Sequence, residues 1–137
     1  MITLETLNRR GAGFLPGYMG IVFTKIAHQE LHAELAIKPH HIAPNGYLHA
    51  GTVVTLADTA CGYGCIANLP EHATGFTTIE LKSNFLSTAR EGTVACVASA
   101  KHLGRTTQLW DAVVTHAGTG RTIALFRCTQ LVIHAKP

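Results

Sequence analysis

Charge is scarce in this sequence. Lys, Arg, Asp and Glu make up 14% of its 137 residues, against about 25% in an average soluble domain. An isolated domain with so little charge would expose enough apolar area to aggregate, so part of the surface is expected to be covered by another subunit. The basic residues do not cluster, which argues against nucleic acid as a partner. The net charge of +3 suits a small anionic ligand better than a polyanion. No apolar run reaches about 18 residues without strong polar breaks, so no membrane-spanning helix is expected. Glu5, Arg9 and Arg10 interrupt the start, so no signal peptide is expected either. The four cysteines, Cys61, Cys65, Cys96 and Cys128, form neither a C-x-x-C pair nor a disulfide framework. They read as small buried apolar residues of a reduced, cytoplasmic protein. None of the nine histidines belongs to a His-Glu-x-x-His pair, and no metal site is expected.

What is present fits one domain over residues 1–137. Thr3 can cap a short helix with Glu5 in its first turn, Arg9 and Arg10 in its last, and Gly11 at its end. Pro16-Gly17 reads as a turn. Alternation with β-branched residues predicts strands near 20–27 and 30–37, and residues 38–48 read as a loop. The segment from His49 to Ala67 is apolar on nearly every face, which predicts a buried helix stopped by Asn68-Leu69-Pro70. Val53 and Val54 would also suit a strand, and Gly62 and Gly64 weaken the C-terminal half of the helix. Four further strands are predicted near 74–87, 92–102, 105–117 and 121–134, as an antiparallel meander with turns at 90–92, 102–104 and 118–120. The class is therefore α+β: one long apolar helix wrapped by a curved antiparallel sheet, with a partner subunit completing its cover.

Histidines aside, Asp58 is the only charged residue between Lys38 and Glu71, midway along that helix. A buried carboxylate is costly unless it is paired, hydrated or put to use. Thr55 and Thr59 can donate to it, so a structural role and a chemical one both stand at this point. The second feature is the helix start, Asn45-Gly46-Tyr47-Leu48-His49-Ala50-Gly51. Free amides there can polarise a carbonyl oxygen as negative charge develops on it. Small residues at 50 and 51 allow close approach. Eight residues separate Ala50 from Asp58, which is about 12 Å of helix rise and too far for both to act on one carbonyl. Two chains about a two-fold axis can bring Asp58 of one to Ala50 of the other.

His49-Ala50-Gly51 followed by Leu56-Ala57-Asp58-Thr59-Ala60 resembles the His-Gly-Gly…Leu-x-Asp-Thr-Ala signature of hotdog-fold acyl-CoA thioesterases, and most closely their PaaI-type branch. Thr78-x-Glu80-Leu81-x-x-Asn84-Phe85-Leu86 and Gly104-Arg105 also look like the family, and the resemblance covers roughly residues 15–134. It implies the hotdog fold, a homodimer or homotetramer, and metal-free hydrolysis of acyl-CoA with no cofactor beyond the CoA of the substrate. It implies Asp58 as nucleophile or general base, and the Ala50 amide beside Gly51 as the donor to the thioester carbonyl. Thr78 would position the water and His49 would hold the loop. Two positions depart from the signature. Ala50 stands for its first glycine and still offers an N–H; Ala43 stands for an Asn or Gln six residues before the histidine, with Asn45 nearby. Arg90, Lys101 and Arg105 fall at strand ends, where they read equally as CoA phosphate contacts or as solvated ends. Two other functions fit a hotdog fold. A hydratase or dehydratase needs an acid–base pair that is not visible beside Asp58. A non-catalytic acyl-CoA binder would more often lack the acid.

Overall fold

The structure, a computed structural model, describes residues 1–137. It begins with two short helices, α1 (Leu4–Arg10) and α2 (Leu15–Met19). Thr3 and Thr6 close a reciprocal capping box on α1, and Gly11 ends it. The predicted turn at Pro16-Gly17 is instead the first turn of α2, where proline loses no hydrogen bond. Gly17 is needed there because a Cβ would sit 2.4 Å from the Gly11 carbonyl oxygen.

Strands β1 (Ile21–Ala27) and β2 (Glu30–Ala36) form a hairpin, and a 3₁₀ turn at Pro39–His41 leads to α3 (Ala50–Ala67). Four strands follow: β3 (Ala73–Phe85), β4 (Thr93–Leu103), β5 (Thr107–His116) and β6 (Thr122–His134). All six make one antiparallel sheet in the order β1-β2-β4-β5-β6-β3. The expected four-stranded meander is therefore only partly right. β4, β5 and β6 are consecutive, but β3 lies at the far edge against β6, and residues 86–92 cross back to β4. That link is too long for a tight hairpin, and Leu86 and Ser87 donate to the Ile123 carbonyl on the way.

The inner face of the sheet wraps α3, whose Val53, Leu56, Ala57, Ala60 and Cys61 lie in the main core. The two helical glycines make room for rings. A Cβ on Gly62 would meet Phe76 at 2.8 Å, and one on Gly64 would meet the buried Trp110 at 2.7 Å. Close packing of the helix onto the sheet outweighs the propensity cost of about 1 kcal/mol per glycine. The C-terminal end of α3 is tied down by polar contacts. Trp110 Nε1 donates to Gln108, Gln108 donates to the Asn68 carbonyl, and Asn68 donates to the Gly64 carbonyl.

The two sheet edges differ. At β1, the Asn8 side chain pairs with both backbone groups of Phe23, accepting at 2.8 Å and donating at 3.2 Å, and so covers part of that edge. The outer edge of β3 has no such cover. It runs for 13 residues and exposes Ile79, Leu81 and Phe85. A long apolar open edge is a template for pairing with another chain.

Candidate active site

The loop before α3 is fastened at several points. Leu48 N–H donates to the Ala89 carbonyl at 2.9 Å. The buried His41 carbonyl accepts from His49 N–H at 3.0 Å and from the Thr52 hydroxyl at 2.9 Å. His49 is the N-cap of α3, and its Nδ1 accepts the Gly51 N–H at 2.7 Å. Thr52 and Val53 donate to the His49 carbonyl. Of the first four amides of α3, only that of Ala50 is left without a partner. It is exposed and borders a cleft of ≈ 140 Å³ lined by Leu48, Val53, Phe85, Ser87, Thr88 and Ile123. The free donor, the positive end of an 18-residue helix and a mostly apolar cleft coincide.

Asp58 faces β3 two turns further along. Its Oδ1 is buried, and no hydrogen bond of the chain closes on it. Burial raises the Asp58 carboxyl above the ordinary carboxylate range, and the nearby Thr78 hydroxyl partly opposes this. The two threonines of its own helix do not supply a donor; the Thr55 hydroxyl donates to the Gly51 carbonyl at 2.8 Å. A raised carboxyl means that native Asp58 holds its proton at pH values where the unfolded chain has released it. Stability therefore falls as pH rises from the unfolded value to the raised native one, and the cost is complete above that window. The Asp58→Asn variant is expected to melt at a higher temperature than wild type at neutral pH, with the difference shrinking below about pH 4. Calorimetry across that pH range measures it; equal melting temperatures at every pH would mean that the carboxylate carries no such cost.

The predicted residues thus fall into three places. Asp58 and Thr78 are together. His49, Ala50 and Gly51 are together, and Arg90 joins their end of the molecule by stacking 4.3 Å over the Tyr47 ring. Lys101 and Arg105 lie at the other end of β4, with Arg105 accepting a hydrogen bond from His134 at its carbonyl. Arg90 lies before the start of β4, and Lys101 stands eight residues beyond Thr93 along it, about 26 Å of strand, so the three cations do not surround one phosphate in one chain. Asn45 is exposed and accepts the Tyr47 N–H at 3.1 Å, which closes its own turn. Arg121 was not singled out from sequence. It shares an open groove of ≈ 390 Å³ with Arg90, His116 and Thr119, and Thr88 borders both this groove and the Ala50 cleft. Gln130 was also missed, although it interrupts the inward-facing register Phe126, Cys128, Gln130, Val132 of β6.

Comparison with known proteins agrees with the fold and the superfamily. Residues 45–123 match the Thioesterase superfamily. The chain belongs to that superfamily. It is 35% identical over 135 residues to the 1,4-dihydroxy-2-naphthoyl-CoA hydrolase of Escherichia coli, covering 96% of each chain. It is 30% identical over 115 residues to the proofreading thioesterase EntH of Cronobacter sakazakii, covering 82% of each. Among solved structures, a mutant thioesterase from Pseudomonas aeruginosa superposes with a TM-score of 0.91 at 29% identity, over 97% of this chain and 95% of the other. A thioesterase from Haemophilus influenzae also gives 0.91, at 25% identity over 98% and 92%. The hotdog fold and the superfamily resemblance both hold for this thioesterase.

Proposed function

We propose that this thioesterase hydrolyses acyl-CoA thioesters to the free acid and CoA, at sites each built from two copies of the chain. One observation carries the reading. The only carboxylate of the buried helix and the only unpartnered amide of its first turn lie about 12 Å apart along one helix axis. The Ala50 amide polarises the thioester carbonyl. Asp58 of the second copy takes a proton from the water that attacks the carbonyl carbon, or attacks it itself to give an anhydride that water then hydrolyses, and CoA leaves as the thiolate, which takes up a proton. Thr78 and His49 keep the roles described above, and Arg90 with Arg121 meets CoA phosphate through the groove at Thr88.

The open edge of β3 supports the two-chain site. Thr78 lies on that strand, so a copy pairing there comes close to Asp58. A two-fold axis at that edge makes two equivalent sites at once, and a dimer of such dimers would bury more of the apolar surface. We further assign the chain to the PaaI-type branch, acting without a cofactor in the cytoplasm. No helix is long and apolar enough to cross a membrane.

A panel of short, medium and aromatic acyl-CoAs, assayed for release of free thiol, tests the reaction. Turnover of at least one member is expected, with the aromatic ones of first interest given the naphthoyl-CoA relative. Binding of acyl-CoA without release of thiol from any member would favour a non-catalytic binder instead.

A further inference from the structure

Two glutamines lie on the inner face of the sheet, opposite one another on β5 and β6, and both are fully buried. Gln108 belongs to the polar contacts that hold the end of α3. Gln130 does not. It is paired in register with Thr78 of β3, and its Oε1 accepts the Thr78 hydroxyl proton at 2.7 Å. Its Nε2 donates to Cys128 Sγ at 3.3 Å.

A threonine hydroxyl has a single proton. That of Thr78 has two acceptors at hand, Gln130 Oε1 and the Asp58 carboxylate. We propose that Gln130 is a positioning residue, which competes with the Asp58 carboxylate for the Thr78 proton, so that the hydroxyl stabilises the carboxylate only in part and keeps a lone pair free for a water molecule. A water molecule reaching the pair can then donate one hydrogen to Thr78 and the other to Asp58, the arrangement a general base requires. A carboxylate denied part of a hydrogen bond is also the stronger base. One Asp58 oxygen is buried without a partner, consistent with a carboxylate that is short of donors.

The other groups around Asp58 do not compete for this role. The titratable one is the Cys61 thiol of α3, which in turn neighbours Cys96 on β4 and Cys128 on β6. A hydrogen bond with Cys128, followed by burial, holds the Cys61 thiol well above its ordinary range, and burial alone pushes Cys96 up to about 12. No cation and no second carboxylate contributes to the Asp58 environment. The proposal rests on the catalytic reading of Asp58 for its purpose, but its physical content is measurable without turnover.

The test follows the Asp58 side-chain carboxyl by carbon-13 NMR titration in wild type, Gln130→Met, Thr78→Val and the double variant. Methionine keeps the length of glutamine and has no amide oxygen; Gln130→Leu is the second variant should the first fail to fold. Removing the acceptor frees the Thr78 proton for Asp58, so its titration midpoint is expected to fall by about one pH unit. The fall should vanish in the Thr78→Val background and persist with Thr78→Ser, which keeps the hydroxyl. The acidic limb of kcat/KM should move by the same amount. A midpoint that falls while the rate profile stays fixed upholds the hydrogen-bond assignment and removes Asp58 from the chemistry instead. A midpoint that stays or rises in folded Gln130→Met or Gln130→Leu overturns the proposal, since it means that Gln130 is not drawing the proton away.

Discussion

The Asp58→Asn variant is expected to lose about 10²-fold or more in kcat, the scale of a missing acid–base group, while KM for acyl-CoA changes little. Asparagine has the size and shape of aspartate, so the packing of α3 against β3 survives. It can accept a hydrogen bond, but it cannot take a proton from water or form an anhydride with the acyl group. The expected rise in melting temperature for the same variant separates the two effects, because a stabilised protein that no longer turns over has lost chemistry rather than structure. Steady-state release of free thiol is the measurement. Hydrolysis at near the wild-type rate by the folded variant would remove Asp58 from the mechanism.

The second large effect concerns a backbone group. Ala50→Gly keeps the amide, and its activity is expected to stay within roughly tenfold of wild type, about 1.4 kcal/mol of barrier. Ala50→Pro deletes the amide and should cost about 10²- to 10³-fold, as for a lost oxyanion donor. The position makes this a clean test. Ala50 is the first residue of α3, where proline is well tolerated, and His49 before it already has the extended backbone that a following proline requires. The helix should therefore form normally. A folded Ala50→Pro enzyme with ordinary kcat would mean that the carbonyl finds its donor elsewhere.

The parts of the molecule that depend on local pattern were legible in the sequence. The helix from residue 49 to 67 is evident from its length and its proline stop, and each strand matches its alternating run to within two residues. Strand order was not, because β3 pairs with β6 across some fifty residues and no local signal carries that choice. α2 was hidden for a different reason: five residues are too few to show a helical period. Gly62 and Gly64 looked like weaknesses in the helix because the rings that need their space, Phe76 and Trp110, are distant in sequence. At the site, Asp58 stood out because charge is absent around it. Gln130 did not, since a polar residue at an inward strand position is visible only once the register is known, and its meaning depends on Thr78 opposite. The three candidate CoA cations were alike as strand-end residues, and only the fold separates Arg90 from Lys101 and Arg105.

The shared site is tested most directly by mixing two inactive variants. Asp58→Asn and Ala50→Pro are combined in equal amounts under conditions where subunits exchange, and thiol release is assayed. If each site takes its acid from one chain and its amide from the other, a mixed dimer holds one site with both defects and one with neither. Random pairing should then restore roughly a quarter of the wild-type activity per chain. No recovery, once exchange has been demonstrated with labelled subunits, would contradict the two-chain site and return both residues to a single chain.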